Sequence, residues 1–185
     1  MNTKLQGDLN DTLGLSPQSL LGDGAVHLSD AKLLGFPLTT RLSDFTGVNE
    51  LKELNFKNWA NTFSITNGRV NIRDLKVNAS HADFLVAGSH GLDGSMDYNL
   101  AVKLPVSVSD RVKLQGVGDQ LLQFFKDKEG RINLNFKVSG MTSDPGVKLD
   151  TRAQEEMAKK ALEEKVGNEL KKKAEEGLKK LFKRP

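Results

Sequence analysis

Residues 53–105, ELNFKNWANTFSITNGRVNIRDLKVNASHADFLVAGSHGLDGSMDYNLAVKLP, decide the fold. Leu54 and Phe56 alternate, Trp59 follows after a break, and Phe63 and Ile65 alternate again. Asn67-Gly68 is the strongest short hairpin signal in the chain, because both residues tolerate the positive φ of a tight hairpin turn. Val70 and Ile72 keep the period of two. Leu75, Val77 and Ala79 resume it in the opposite phase, which implies a bulge or bend around Arg73-Asp74. Phe84, Val86 and Gly88 start another strand, and Asp93-Gly94 is a second hairpin signal. Met96, Tyr98, Leu100, Val102 and Leu104 then alternate until Pro105 ends the strand. The pattern is an antiparallel meander with one apolar and one polar face.

Working upstream, residues 4–15 carry Leu5, Leu9, Leu13 and Leu15 among polar neighbours and take no firm assignment. The opening MNTKLQGDLND reads as mid-strand sequence, as in a piece of a longer protein. Gly22-Asp23-Gly24 predicts a turn and Ala25 to Leu34 a strand. Gly35-Phe36-Pro37 ends that strand, and Pro37 opens a short helix to Thr46 with Leu38, Leu42 and Phe45 at helical spacing.

Downstream, Val112, Leu121, Leu122, Phe124 and Phe125 predict a helix over residues 109–127, weakened by Gly116 and Gly118. Ile132, Leu134, Phe136 and Val138 alternate once more, and Asp144-Pro145-Gly146 predicts a turn into a strand from Val147 to Leu149. From Thr151 the composition changes to Ala, Glu, Lys and Leu. Thr151 suits a helix cap, and Glu155 and Glu156 suit a positive N-terminal end, so residues 151–185 read as one long helix. Its apolar stripe, Ala158, Leu162, Val166, Leu170, Ala174, Leu178 and Phe182, advances about 40° per step and rotates around the helix. Met157 and Leu181 broaden its ends, but it is too thin for a coiled-coil seam.

The expected fold class is therefore mainly β with helices (α+β). A meander domain over 1–150 has two short covering helices, and a charged amphipathic helix follows over 151–185. Of the 185 residues, 37% are hydrophobic, enough for a lean core, and 17 glycines against 5 prolines suit a turn-rich β protein. The tail holds 11 of the 27 basic and 7 of the 24 acidic residues, leaving 16 basic against 17 acidic in the body. A neutral body argues against nucleic acid as a partner. Without cysteine there is no disulfide, thiolate metal site or cysteine nucleophile.

Chemistry-bearing constellations are sparse. His27, His81 and His90 are widely spaced and stand in no metal-ligand motif, so no metal and no cofactor are expected. Gly116-Val117-Gly118 lacks the third glycine and the Lys-Ser pair of a phosphate loop. Ser80-His81 and Ser89-His90 are sequence neighbours, and adjacent strand residues point to opposite faces. Asp23, Asp93 and Asp144 sit in turn contexts, where aspartate is expected for backbone reasons. No catalytic residue emerges, and the reading is of a non-enzyme.

The alternating face has two readings. It packs wholly on the helices as core, or part of it stays open as a trough for acyl chains, since the sheet is long relative to its covering helices. The basic end of the tail is either a solvated helix or a surface-lying one. In the second case Leu178, Leu181 and Phe182 face a membrane or partner, and Lys179, Lys180, Lys183 and Arg184 face anionic headgroups.

Residues 53–105 resemble the C-terminal region of the AsmA family. The elements are Phe63-x-Ile65 before Asn67-Gly68, Val70-x-Ile72-x-Asp74-Leu75, Gly88, the Gly91-Leu92-Asp93-Gly94 turn, Tyr98 and Leu104-Pro105. Gly35 to Phe45 and Gly140 to Leu149 extend the likeness to roughly residues 22–150. The resemblance implies a strongly curved antiparallel sheet, similar to bridge-like lipid transfer proteins. It implies a periplasmic module of a protein anchored in the inner membrane by a segment outside this chain, with a part in phospholipid transport or outer-membrane biogenesis. The expected partner is a phospholipid or other acyl-chain lipid, with a membrane surface or envelope protein met through the tail. The candidate groove residues are Phe63, Ile65, Val70, Ile72, Phe84, Val86, Met96, Tyr98, Leu100 and Val102. The alternative is a scaffold or protein-interaction module without a lipid ligand.

Overall fold

The computed structural model describes residues 2–152, 154–160, 162, 163 and 166. Met1–Asp150 and Thr151–Pro185 are separate units. The first is built on one eight-stranded antiparallel sheet whose strands follow chain order. They are β1 (Asn2–Gln6), β2 (Leu21–Leu34), β3 (Glu53–Thr66), β4 (Arg69–Ala79), β5 (Ala82–Gly91), β6 (Ser95–Leu104), β7 (Ile132–Met141) and β8 (Asp144–Leu149). Helix α1 (Pro37–Thr46) joins β2 to β3, and the single turns α2 (Val106–Ser109) and α3 (Asp119–Leu122) lie between β6 and β7.

The expected meander forms because its turns carry the right residues. Asn67 and Gly68 have φ of 51° and 68°, the pair of positive values that a two-residue hairpin loop needs. Pro37 starts α1 and Gly47 ends it in the left-handed conformation, with φ 69°.

A single extra residue organises the sheet. Ile72 faces Gly88 and Leu75 faces Val86, so β4 spends three residues where β5 spends two. This is the bulge that the phase slip predicts, and Asp74 holds a φ of 48° there. The slip does not stop at β4. Between β3 and β4 the register is the same on both sides of it, Phe56 facing Ala79 and Phe63 facing Ile72. Between β2 and β3 it is also kept, from Gly22 facing Ile65 to Leu33 facing Leu54. All three strands therefore change phase together, while β5, β6 and β7 keep theirs. The break expected at Trp59 is this shift inside one continuous strand, marked by Asn58 at φ 49°.

Several expectations are corrected. Gly22-Asp23-Gly24 is not a turn but mid-strand, paired with both β1 and β3. A Cβ on Gly22 would lie 2.5 Å from the Lys4 carbonyl oxygen, so glycine here serves close backbone approach. Asp144-Pro145-Gly146 belongs to β8 itself. Pro145 is tolerated because β8 is an edge strand paired only with β7.

The helix expected over 109–127 is replaced by α2, a coil, α3 and a 3-10 turn at Gln123–Phe125. Gly116 takes φ 77°. The coil instead docks on the end of α1, where Lys113 N–H donates to Thr46 O and Gln115 N–H to Phe45 O, both at 3.0 Å. Tertiary hydrogen bonds thus replace helical ones in a glycine-weakened stretch.

In the second unit helical backbone is described at 152, 154–160, 162, 163 and 166. Glu155 N–H donates to Thr151 O at 2.8 Å, and the Thr151 hydroxyl donates to the Glu155 carboxylate at 2.6 Å. The remainder of the expected long helix, with Leu178, Lys179, Lys180, Leu181, Phe182, Lys183 and Arg184, lies outside the described residues.

The core sits on one face of the sheet at the β6–β7 end. Leu104, Ile132, Leu134 and Val138 are fully buried there with Leu42 of α1 and Val48 and Leu51 of the following turn. Phe45 meets Phe136 edge to face at 5.5 Å between ring centres. Arg41 of α1 reaches Asp144 of β8 at 2.7 Å, an exposed pair that adds little.

Gly88, opposite the bulge, has φ 147°, and a Cβ there would lie 2.7 Å from Tyr98 Cα and collide with the Asp97 carbonyl. Gly88→Ala is expected to cost roughly 3 kcal/mol or more through strain and clash. Gly118→Ala, where a Cβ meets open space, should be neutral within about 0.5 kcal/mol. Urea unfolding of both variants checks the contrast, and equal stability would refute the bulge's demand for glycine.

Candidate functional site

Beside the core, on the same apolar face, the packing leaves a cavity of about 250 Å³. Its roof comes from Leu33 of β2, Phe36, and Leu38, Thr39 and Leu42 of α1. Its floor is sheet: Leu54, Phe56 and Trp59 from β3, Ile72, Leu75 and Val77 from β4, and Phe84, Val86 and His90 from β5. Met96, Tyr98 and Leu100 from β6 and Val138 from β7 complete it. No carboxylate, lysine or arginine is among these lining residues. The volume exceeds the roughly 150 Å³ apolar cavity that takes a benzene ring and falls short of the roughly 300 Å³ where drug-sized sites begin. That space suits one length of aliphatic chain.

Six of the ten expected groove residues line the cavity: Ile72, Phe84, Val86, Met96, Tyr98 and Leu100. The other four share the face without reaching it. Val102 is sealed in the core at 2% exposure. Ile65 and Val70 pair one step closer to the Asn67-Gly68 turn, and Phe63 borders a separate polar depression with Asp23, Asn71 and Arg73. Leu54, Phe56, Leu75 and Val77 also line it; they belong to the same alternation but not to the ten expected residues. Leu33, Leu38 and Leu42 carried no signal beyond core spacing.

The slip that builds this face also opens a seam. Strands β3 and β4 pair at Phe56–Ala79 and from Phe63 to Thr66, but not between. Trp59 lies in the unpaired stretch. Its indole Nε1 is buried with no hydrogen-bond partner among the described residues, a state that costs about 1–3 kcal/mol. On the opposite, polar face of the seam, Lys57, Arg73 and Lys76 are exposed and form no ion pair among the described residues.

Two polar side chains mark the far wall. Tyr98 and His90 have ring centres 6.4 Å apart, and His90 Nε2 lies 3.2 Å from Thr142 Oγ1. Ser89, its sequence neighbour, takes a hydrogen bond from Arg69 Nε instead, at 2.8 Å, so the Ser-His pair is split between faces. No three metal-ligating side chains converge among the described residues. Burial pushes the Tyr98 phenol above its ordinary value of 10.0, against a smaller pull downward from the positive charge of Arg69.

Tyr98 is the chain's one tyrosine, so ultraviolet titration of phenolate reads this wall alone. Its midpoint is expected above 10.0. A folded-state value raised above the unfolded one means that stability is full below the unfolded midpoint and falls as pH rises through the folded one. A midpoint at or below the ordinary value would show that the wall is wet.

Compared with known protein families, curated proteins and solved structures, the chain finds no match in any of the three.

Proposed function

We propose that this chain is a non-catalytic lipid-binding module of a bacterial envelope protein, shielding an acyl chain on its apolar sheet face. The observation that carries the reading is the cavity of about 250 Å³, walled almost wholly by hydrocarbon and aromatic side chains. Covering acyl surface there is worth roughly 25 cal/mol per Å². The volume supports one chain, or the end of one, rather than a whole phospholipid held by all its tails.

The wider setting rests on the likeness of residues 53–105 to AsmA-type C-terminal regions. In that setting the module is periplasmic and serves phospholipid transport or outer-membrane biogenesis. The turns at Asn67-Gly68 and Asp93-Gly94, the bulge at Asp74 and the glycine opposite it are the elements of that likeness. The shared phase change of β2, β3 and β4 supports the bend that such a sheet is expected to have. No helix among the described residues is long and apolar enough to cross a membrane.

A second reading, docking of another envelope protein, has its own observation. Leu5, Leu9, Leu13, Leu15 and Leu21 are each at least half exposed beside the outer edge of β1, which has one neighbouring strand only. Exposed leucines next to an open strand edge suit a protein partner.

The two readings separate by lipid extraction and mass spectrometry of the purified chain. The lipid reading expects co-purifying lipid in near-stoichiometric amount. Val86→Phe, which fills the cavity at a folding cost of about 1–3 kcal/mol, should lower it several-fold. Leu13→Asp, at a site 81% exposed, should leave it unchanged. Lipid-free protein that also fails to take up an added fatty acid would leave the docking reading standing.

A further inference from the structure

The cavity wall is apolar, but the seam beside it leaves polar groups without partners. Along the unpaired stretch of β3 and β4, backbone groups of two inner strands lack ladder partners and must find others. Trp59 stands in that stretch, lines the cavity, and holds a buried indole N–H with no partner among the described residues. An indole nitrogen only donates, so what it lacks is an acceptor. Lys57, Arg73 and Lys76 flank the seam on the polar face. Carboxylates share that face: Asp23 beside Arg73, Asp30 opposite Lys57, Asp74 in the bulge and Asp83 opposite Asn78, so the choice of head group rests on Trp59.

We propose that the cavity's ligand is a single-chain amphiphile whose carboxylate head accepts a hydrogen bond from Trp59 Nε1–H at the β3–β4 seam, while its tail fills the apolar cavity. This rests on the reading of the cavity as an acyl-chain site and adds the head group. The volume of about 250 Å³ takes one chain, and a charged acceptor forms the stronger bond with a neutral donor. The indole nitrogen is itself buried, so binding in this way includes a rotation of the indole that turns its N–H edge toward the cavity. An alkyl cation has no acceptor to offer the Trp59 N–H.

The test compares decanoate with decylammonium, equal tails with opposite heads, on the full chain. Trp59 is the chain's one tryptophan, so its emission reports the seam directly. Decanoate is expected to shift that emission and to bind at least about tenfold more tightly than decylammonium. By calorimetry, Trp59→Phe, which keeps an aromatic ring and removes the N–H, should weaken decanoate about tenfold and leave decylammonium unchanged. Equal binding of the two heads, or decanoate binding indifferent to Trp59→Phe, overturns the head-group assignment and leaves the acyl-chain reading intact. If neither ligand binds, and an uncharged apolar dye does not either, the acyl-chain reading fails and this inference with it. Should Trp59→Phe not fold, the comparison of the two ligands on the unaltered chain decides alone.

Discussion

One extra backbone residue, in β4 at Arg73-Asp74, sets the terms for the rest of the sheet. Side chains on a strand alternate with a period of two, so one inserted residue moves every later side chain to the other face. Here the insertion is matched by a change in the sequence itself: Val70 and Ile72 lie on even positions, Leu75 and Val77 on odd ones. β3 changes in the same way, from Leu54 and Phe56 to Trp59, Phe63 and Ile65. β5, β6 and β7 have no insertion and no change. The result is a single apolar face across seven strands, reached by two different patterns. Gly88 is the counterpart on β5, where the backbones crowd too closely for any Cβ.

The same insertion separates core from cavity. On the β6–β7 side the ladders run unbroken from Ser95–Met141 to Leu104–Ile132, and the side chains toward Leu104 and Ile132 pack with α1 and the loop over Val108, Val112 and Leu114 into the buried core. On the β3–β4 side the ladder lapses at the slip. The side chains around it, Phe56, Trp59, Ile72 and Val77, stay only partly buried. Helix α1 is ten residues long, about 15 Å, while β2 and β3 have fourteen residues each. The helix roofs part of the face and leaves the remainder over the seam.

Much of this was legible in the sequence, for physical reasons that differ by element. Asn67-Gly68, Asp93-Gly94 and the slip at Arg73-Asp74 depend on local backbone rules, and local rules can be read from neighbours in sequence. Gly22-Asp23-Gly24 and Asp144-Pro145-Gly146 misled because the same residues that favour turns also permit close approach or an edge position in a strand. The stretch 109–127 misled differently. Its apolar spacing was real, since Val112 and Phe125 are buried, but the burial comes from a coil bonded to the end of α1. At the site, the alternation identified the face, and six of the chosen residues line the cavity. Where along the face the roof ends depends on α1, whose reach is fixed by tertiary packing, and no spacing within 53–105 encodes it.

The balance of packing and exposure bears on purpose. Burying a large apolar side chain fully is worth about 1.5–3 kcal/mol, and a domain's whole margin is about 5–15 kcal/mol. A sheet that leaves Phe56, Trp59, Ile72 and Val86 half-covered forgoes a noticeable part of that margin. It also carries an unsatisfied indole N–H and a lapsed ladder at the same place. A longer α1 would recover the loss and lies within easy reach of sequence change. A ligand recovers it too, because binding only the folded chain adds stability in proportion to the logarithm of its concentration over Kd. The unfilled volume, the unpaired strands and the partnerless N–H coincide at one seam, and one occupant with a tail and an acceptor would fill the first and pair the last.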